Sequence, residues 1–177
     1  MFGISGIEYY PSIQCPGSPT GDYVSKLTTQ TIAKKEMEFS SIIQYYIPLG
    51  SIHAEYVCSY NHGTLLYYKY GVPILTSISD LETSYKNKNI TPQKIKVSTD
   101  LLDALIVLKD QIHNMNIKGF SHNAVGKKTI VYNESSKTAY LKHFDQSTYS
   151  ISDDEECINF IIEDLSKLIQ TIKSDFY

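Results

Sequence analysis

The stretch "LLDALIVLKDQIHNMNIKGFSHNAVGKKTIVY", residues 101–132, joins an amphipathic segment to a short polar loop and an apolar strand-like segment. Ser98 or Thr99, just ahead of it, can cap the start of a helix. His122 opens the loop, which ends where an Ile-Val pair begins the strand. Four apolar side chains recur at helical spacing and form one face: Leu101, Leu105, Leu108 and Ile112. The stretch therefore predicts a helix, a loop and a strand, in that order.

The chain beyond this stretch predicts a β-hairpin and one more helix. The hairpin covers residues 128–144, with the polar residues 133–136 at its tip. The segment "SDDEECINFIIEDLSKLIQTIK", residues 152–173, predicts a helix in which Ser152 and Glu155 form a capping box. Seven apolar residues form the buried stripe of this helix: Ile158, Ile161, Ile162, Leu165, Leu168, Ile169 and Ile172.

The chain ahead of the opening stretch begins with a β-rich segment and continues into a helix. Residues 2–27 alternate loosely between apolar and polar side chains, and the Pro/Gly-rich segment 15–22 interrupts them. This pattern predicts two strands joined by a loop. Apolar residues at helical spacing predict a helix over about 31–46, which Pro48 ends.

The middle of the chain predicts a second pair of strands. Residues 54–60 and 63–75 are rich in Tyr, Leu and Val and flank a turn at 61–63. The polar segment 79–94 predicts a loop or a short irregular helix. Strands concentrated early and helices concentrated late predict an α+β fold. The length and the 42% hydrophobic composition favour one domain over residues 1–177.

The charge composition limits the partners that the chain can bind. The formal net charge is −3, so non-specific nucleic-acid binding is not favoured. All 16 basic residues are lysines, and arginine is absent. Any contact with phosphate must therefore use lysine or backbone N–H groups rather than a bidentate guanidinium group.

Cysteine and histidine placement favours a reducing environment without a metal site. Cys15, Cys58 and Cys157 are odd in number and far apart, which argues against a disulfide framework. The five histidines show no compact metal-ligand spacing. The first residues do not form a signal peptide, and no apolar run is long enough to span a membrane. We therefore expect a cytoplasmic protein without membrane contact.

A set of short motifs follows the same order along the chain. Gly3 and Gly6 precede "YYPSIQC" at residues 9–15, and "YVSKL" at 23–27 ends near Lys26. In this order the motifs resemble the protein-kinase-like proteins of large and giant DNA viruses. The resemblance implies a truncated kinase-like fold. Its β-rich N-lobe, with one helix, would cover about 1–75, and its reduced, mainly helical C-lobe about 76–177.

The resemblance also implies roles for individual residues. Lys26 would hold nucleotide phosphates, Glu36 would be its helix partner, and Gly3 and Gly6 would lie in the glycine-rich turn. His122 would be the histidine of the catalytic loop. Because the metal-ligand positions are replaced, a structural ion pair that joins a strand to a helix is favoured for Lys26 and Glu36 over retained nucleotide binding. His122 has no acidic neighbour in the loop, which favours a packing role.

Several positions depart from the pattern that phosphoryl transfer requires. The catalytic Asp position holds Ala124, and the metal-binding Asn position holds Thr129. Aligned on its Phe, the metal-binding D-F-G motif becomes His143-Phe144-Asp145. Shifted by two residues, Asp145 becomes the metal ligand, and otherwise it is expected to be a solvated loop acid. Glu8 places a carboxylate where an adenine-packing valine is expected.

These departures predict a catalytically inactive pseudokinase of viral origin, with no bound cofactor, that acts through a protein partner or self-association. One alternative is an atypical ATP-binding protein with residual kinase or nucleotide-hydrolysis activity. Asp145 would then hold Mg²⁺, and Lys26 and Lys127 would contact phosphates. Another alternative is a structural component of the virion. Tyr67, Tyr68 and Tyr70 are candidates for an interface because aromatic residues are enriched at interfaces.

Overall fold

The computed structural model describes residues 7–9, 15–18, 21, 23–47, 51, 55–69 and 71–177. The strands in this part are β1 (Ile7–Tyr9), β2 (Tyr23–Thr28), β3 (Tyr56–Tyr60), β4 (Gly63–Lys69), β5 (Val72–Pro73), β6 (Ile130–Asn133) and β7 (Thr138–Leu141). The helices in this part are α1 (Gln30–Tyr46), α2 (Ile74–Lys86), α3 (Pro92–Ile117) and α4 (Asp154–Phe176). The element order therefore mixes small sheets with helices, as the sequence predicts.

The first sheet places Lys26 on a central strand. Its strands lie in the order β1-β2-β4-β3, and each neighbouring pair is antiparallel. Lys26 pairs with Glu8 on one side and with Leu66 on the other. Strands β2 and β4 are the inner strands and are largely buried, whereas the edge strand β3 is mostly exposed. Lys26 therefore lies on a strand that has a hydrogen-bonded neighbouring strand on each side.

Helix α1 packs its inner face against this sheet. Thr29 caps the helix, because its hydroxyl accepts a hydrogen bond from the Ile32 N–H at 3.2 Å. Ala33, Glu36 and Ile43 lie on the buried face. The predicted helix over about 31–46 is confirmed, and its periodicity directs Glu36 inward among apolar residues.

The polar segment 79–94, for which the sequence left a loop or a short irregular helix open, is mostly helical and belongs to α2 and α3. The loop alternative is wrong, and the helix is longer than predicted because α2 begins at Ile74. The single strand predicted over 63–75 is also wrong, because β4 and β5 in that range belong to different sheets. Ile74, Ile78 and Leu81 are buried along one face of α2, and these few apolar residues suffice to fix the helix.

Helix α3 begins earlier than its apolar face suggests. Thr91 is the N-cap, its hydroxyl accepts a hydrogen bond from the Lys94 N–H, and Pro92 is the first helical residue. The Ser98 and Thr99 hydroxyls bond instead to backbone carbonyls four residues earlier, so the predicted cap is wrong. The predicted apolar face of α3 is buried: Leu101, Leu105, Leu108 and Ile112.

Helix α4 packs against α3 in the core of the helical part. Asp153, not Ser152, is its N-cap, and the Glu155 carboxylate contacts His113 at 2.8 Å. The predicted capping box is therefore wrong. The predicted apolar stripe is confirmed, with five residues fully buried and two partly buried: Ile158, Ile161, Leu165, Ile169 and Ile172, then Ile162 and Leu168.

The second sheet, in the order β5-β6-β7, lies beside these helices. Its β6–β7 hairpin confirms the predicted hairpin, with residues 134–137 at the turn. A disulfide joins Cys15, ahead of β2, to Cys58 on β3, so the expectation of no disulfide is wrong. The described helices include none with the length and apolar composition of a membrane span.

Candidate functional site

The structure brings Lys26 and Glu36 together in the interior. Both side chains are fully buried, and the Lys26 Nζ lies 3.7 Å from the Glu36 Oε2. Strand β2 supplies the lysine and the buried face of α1 supplies the glutamate. The Lys26 Nζ also lies 5.4 Å from the centre of the Tyr68 ring, within range of a cation–π contact. The ammonium group is thus held from several sides by the protein.

His143 completes this cluster. Its Nδ1 lies 3.2 Å from the Lys26 Nζ, and its ring packs edge-on against Tyr68 at 5.7 Å. An ammonium group has only donors, so Nδ1 accepts the hydrogen bond and the ring proton resides on Nε2. The His143 backbone has φ of +66°, a conformation that non-glycine residues seldom adopt. The strained backbone therefore directs the imidazole onto the lysine.

The carboxyl groups of Glu36 and Asp145 are neighbours. Burial raises the pKa of Glu36, the Lys26 ammonium and the Phe144 N–H lower it, and Asp145 raises it through repulsion and hydrogen bonding. The Phe144 N–H donates to the Glu36 Oε1 at 3.0 Å. Asp145 is only 3% exposed, so its interpretation as a solvated loop acid is wrong. Its carboxyl group lies among buried protein groups.

The described residues contain no group of three or more His, Cys, Asp or Glu side chains arranged to hold a metal ion. Asp145 and Glu36 supply two carboxyl groups, but the third titratable side chain nearby, His143, presents its Nδ1 to Lys26. Of these two carboxyl groups, that of Glu36 already accepts the Phe144 N–H and lies 3.7 Å from the Lys26 ammonium.

His122 is a structural residue of the loop that follows α3. Its Nε2 donates to the Lys142 carbonyl at 2.8 Å, and its Nδ1 accepts from the Ala124 N–H at 3.1 Å. Burial lowers the pKa of His122, so the ring is neutral and matches this donor and acceptor pattern. The ring packs edge-on against the buried Phe144 at 5.2 Å.

Asp154, at the start of α4, anchors the same loop. Its Oδ2 accepts from the His122 N–H at 2.7 Å and from the Asn116 side-chain amide at 3.1 Å. Its Oδ1 accepts from the Asn123 N–H at 2.9 Å. The predicted capping box of Ser152 and Glu155 did not single out Asp154. Periodicity places residue 154 one turn ahead of the buried Ile158, but the neighbouring acids are equally favourable at a helix start, so this signal alone does not identify it.

Ala124 and Thr129 close a tight turn and leave no acid in it. The Thr129 hydroxyl donates to the Ala124 carbonyl at 2.6 Å and accepts from the Gly126 N–H at 3.0 Å. Ala124 presents only a methyl group, which cannot accept a proton. The Thr129 hydroxyl is engaged within the turn. The two positions to which the kinase-like resemblance assigned an acid and an amide thus serve the local backbone.

The other predicted site residues lie elsewhere or outside the description. Gly3 and Gly6 lie outside the described residues, as does the side chain of Glu8. Lys127 lines a groove between α2 and α4 and does not join the Lys26 cluster. Tyr67 and Tyr68 are fully buried, so their prediction as interface residues is wrong. Tyr70, the third member of that prediction, lies outside the described residues.

The described residues form a mixed α/β protein with two small sheets and four helices. Among solved structures, the chain is similar to the kinase PK-1 of the Cydia pomonella granulovirus, with a TM-score of 0.48 and 16% identity. The match covers 76% of this chain and 46% of that one, so this chain aligns with about half of that kinase. No protein-family model matches the chain, and no curated protein sequence does.

Proposed function

We propose that this chain is a catalytically inactive kinase-like protein that acts by binding another protein. One observation carries the proposal: the buried Lys26 ammonium lies within hydrogen-bond distance of the His143 Nδ1. In the kinase-like interpretation, Lys26 is the residue that would bind nucleotide phosphates. In kinases this lysine keeps its helix glutamate while nucleotide is bound, so the contact with His143 is the one that Lys26 would have to exchange for phosphate oxygens.

The chemistry at the neighbouring positions supports the same proposal. Phosphoryl transfer depends on positioning and on charge stabilisation, with a carboxylate for the acceptor hydroxyl and oxygen ligands for magnesium. Ala124 has no proton acceptor in its side chain, and the Thr129 hydroxyl bonds within its own turn. Asp145 is buried against Glu36. The described groups therefore bind one another rather than a substrate.

A protein partner needs an exposed surface, and the segment beside the loop supplies one. Thr148 pairs with Ser121 in an isolated β-bridge, which fixes the following residues next to the loop. Tyr149 packs edge-on against the buried Phe120 at 5.0 Å while most of its surface stays exposed. Ile151 is 98% exposed. Exposed aromatic and aliphatic side chains such as Tyr149 and Ile151 are the kind of residue that protein interfaces bury.

Nucleotide-binding and phosphate-transfer assays test the proposal that the chain is catalytically inactive. A ligand that binds only the folded protein raises its melting temperature by mass action. We expect no shift with millimolar Mg²⁺ and ATP, and no phosphate transfer from labelled ATP to the chain or to a generic protein substrate. A melting-temperature shift that disappears in Lys26→Met and persists in Lys34→Met, a variant of an exposed lysine on α1, would contradict the proposal.

Partner binding tests the second half of the proposal. We expect Ile151→Asp to remove a specific partner, or self-association, while Phe160→Asp keeps it. Phe160 is the matched control because it is an exposed apolar residue on α4. Quantitative capture from cells that express each variant, together with sedimentation of the purified chains, makes the measurement. Equal loss or equal retention in both variants would exclude this surface as the interface.

A further inference from the structure

A cavity of about 350 Å³ lies between α2 and α3, and none of its described lining residues belongs to the Lys26 cluster. The facing sides of the two helices form its walls, whose apolar part includes Leu81, Val97 and Leu101. The volume falls within the range of about 300–1,000 Å³ that is usual for small-molecule sites. The walls can therefore bury the apolar part of a small ligand.

The wall on α3 carries an ammonium group with unused hydrogen-bond donors. The Lys94 ammonium is partly buried and donates to the Ser84 hydroxyl on α2 at 2.5 Å. No carboxylate of the described residues forms an ion pair with Lys94. Because an ammonium group has three N–H donors, two of them remain after the bond to Ser84. The positive charge of Lys94 is thus unpaired within the described part of the chain.

Ser84 adds a further donor at the same place. Its side chain is only 8% exposed, and its oxygen accepts the hydrogen bond from Lys94. The hydrogen of the Ser84 hydroxyl has no acceptor among the described residues, so it is left to donate. Lys94 and Ser84 together offer several donors and one positive charge. The group that best matches them is a carboxylate, which has two acceptor oxygens and a negative charge.

The open side of the cavity has the opposite charge. Asp80 and Glu134 line the cavity and are exposed. Asp80 precedes Ser84 by four residues on α2, so the two side chains are neighbours on one helix face, with about 5–6 Å between their Cβ atoms. A ligand that carried only a carboxylate would be attracted by Lys94 and repelled by Asp80. A ligand with a positive group next to its carboxylate would be attracted by both.

We infer that this cavity binds a small zwitterion, namely a free α-amino acid with an apolar side chain. The carboxylate would accept hydrogen bonds from Lys94 and Ser84, and the ammonium group would donate to Asp80. The apolar walls would bury the side chain of the ligand. The two charged groups of an α-amino acid are attached to one carbon atom, which matches the single helical turn between Ser84 and Asp80.

Three probes that share a phenyl group and a short carbon chain test this inference. L-Phenylalanine is the zwitterion, hydrocinnamate lacks its ammonium group, and phenethylamine lacks its carboxylate. Ligand-observed NMR on the full chain should show phenylalanine binding in the millimolar range or tighter, because a ligand of this size gains only modest free energy per atom. Hydrocinnamate and phenethylamine should each bind more weakly than phenylalanine.

Substitution of Lys94 tests the donor in the wall. Lys94→Met removes the ammonium group and should weaken phenylalanine binding about tenfold or more, the effect of a hydrogen bond to a charged group. Lys96→Met is the matched control, because Lys96 lies on the same helix but does not line the cavity. The control should bind phenylalanine as the unmodified chain does.

Substitution of Asp80 tests the acid at the open side. Asp80→Asn should weaken phenylalanine binding about two- to fivefold, the effect of an exposed ion pair, and should not weaken hydrocinnamate binding. Asp103→Asn, at an exposed acid of α3 outside the cavity, is the control and should change neither.

A variant that fills the cavity locates the binding site. Val97→Trp should abolish phenylalanine binding, and circular dichroism spectra verify that each variant is folded. Absence of phenylalanine binding at millimolar concentration would overturn the inference. Equal binding of hydrocinnamate or phenethylamine by the unmodified chain would do the same, as would phenylalanine binding that Lys94→Met leaves unchanged. The comparison of the three probes needs no variant, so it decides the matter even where a substitution disturbs the fold.

Discussion

The Lys26 cluster and the loop at residues 121–129 differ in their ionisable side chains, but in both a buried carboxylate has a structural role. The cluster holds several ionisable side chains, and Lys26, Glu36 and His143 contact one another in the interior. The loop contains no acid of its own, and the carboxylate that binds it, Asp154, comes from α4. The cluster therefore contains its own carboxylate, whereas the loop is bound by a carboxylate from another element.

In both regions a carboxylate accepts hydrogen bonds from the backbone of a distant segment. Glu36 on α1 binds the Phe144 N–H, and Asp154 on α4 binds the N–H groups of His122 and Asn123. These bonds satisfy buried donors that would otherwise destabilise the fold. Glu36 and Asp154 are therefore structural residues. Removing either carboxylate should lower the free energy of unfolding, most strongly where a buried ion pair is broken.

Removing the carboxylate of the cluster should have the largest effect. Glu36→Ala removes the carboxylate partner of the Lys26 ammonium and the acceptor of the Phe144 N–H in the interior. We expect a loss of about 3–5 kcal/mol in the free energy of unfolding, the usual result of breaking a buried pair from one side. Denaturant-induced unfolding followed by circular dichroism makes the measurement.

The matched control is the double variant Lys26→Met/Glu36→Leu. Replacing both members of a buried pair by apolar residues of similar size is often neutral or stabilising, so the double variant should be more stable than Glu36→Ala. A double variant at least as unstable as the single one would show that Lys26 contributes to stability through groups other than Glu36.

Removing the carboxylate that binds the loop should have the next largest effect. Asp154→Ala deprives the N–H groups of His122 and Asn123 of their acceptor, and we expect a loss of about 3 kcal/mol. Asp153→Ala is the control, because the Asp153 side chain makes no capping hydrogen bond. Thermal unfolding and hydrogen exchange at residues 122 and 123 report the effect. If Asp153→Ala destabilised the chain as much, the loss would belong to the helix end and not to the loop.

The sequence predicts the first of these regions better than the second. Loose alternation places Lys26 on a strand and helical spacing places Glu36 on a helix, but their pairing was implied by the resemblance to kinase-like proteins. Asp154 lies in an acidic run at a helix start, where the favourable dipole interaction already accounts for acids. A single sequence cannot tell a buried acid from a solvated one in such a run. The site was therefore predictable where a family resemblance pairs two residues, and not where burial alone distinguishes one acid from its neighbours.

Other differences have comparable physical causes. The sequence left helix and loop open for the segment that contains most of α2, because the exposed face of the helix is polar and only Ile78 and Leu81 mark the buried face beyond residue 75. The disulfide was missed because Cys15 and Cys58 are 43 residues apart and only the pairing of β2, β4 and β3 brings them together. Hydrophobic periodicity predicts local elements, whereas the disulfide depends on the order of the strands in the sheet.

The pH dependence of stability should separate Glu36 from an ordinary surface acid. Burial raises the pKa of Glu36 above its usual value of 4.5, so above that pH the folded chain binds more protons here than the unfolded chain. Stability should therefore fall as pH rises from about 4.5 through the folded pKa, by at most about 1.4 kcal/mol per pH unit. Glu36→Gln should flatten this slope, and Glu38→Gln, on the exposed face of α1, should keep it. Parallel slopes for both variants would contradict a raised pKa at Glu36.

The smallest effect is expected at Thr129, where the comparison predicts a role in the turn alone. Its hydroxyl donates to the Ala124 carbonyl and accepts from the Gly126 N–H, so Thr129→Val should lose about 1 kcal/mol of unfolding free energy. Thr129→Ser keeps the hydroxyl and should lose less. Urea titrations of the two variants make the measurement. Equal stability of the valine and serine variants would show that the hydroxyl does not hold the turn, and position 129 would then need another explanation.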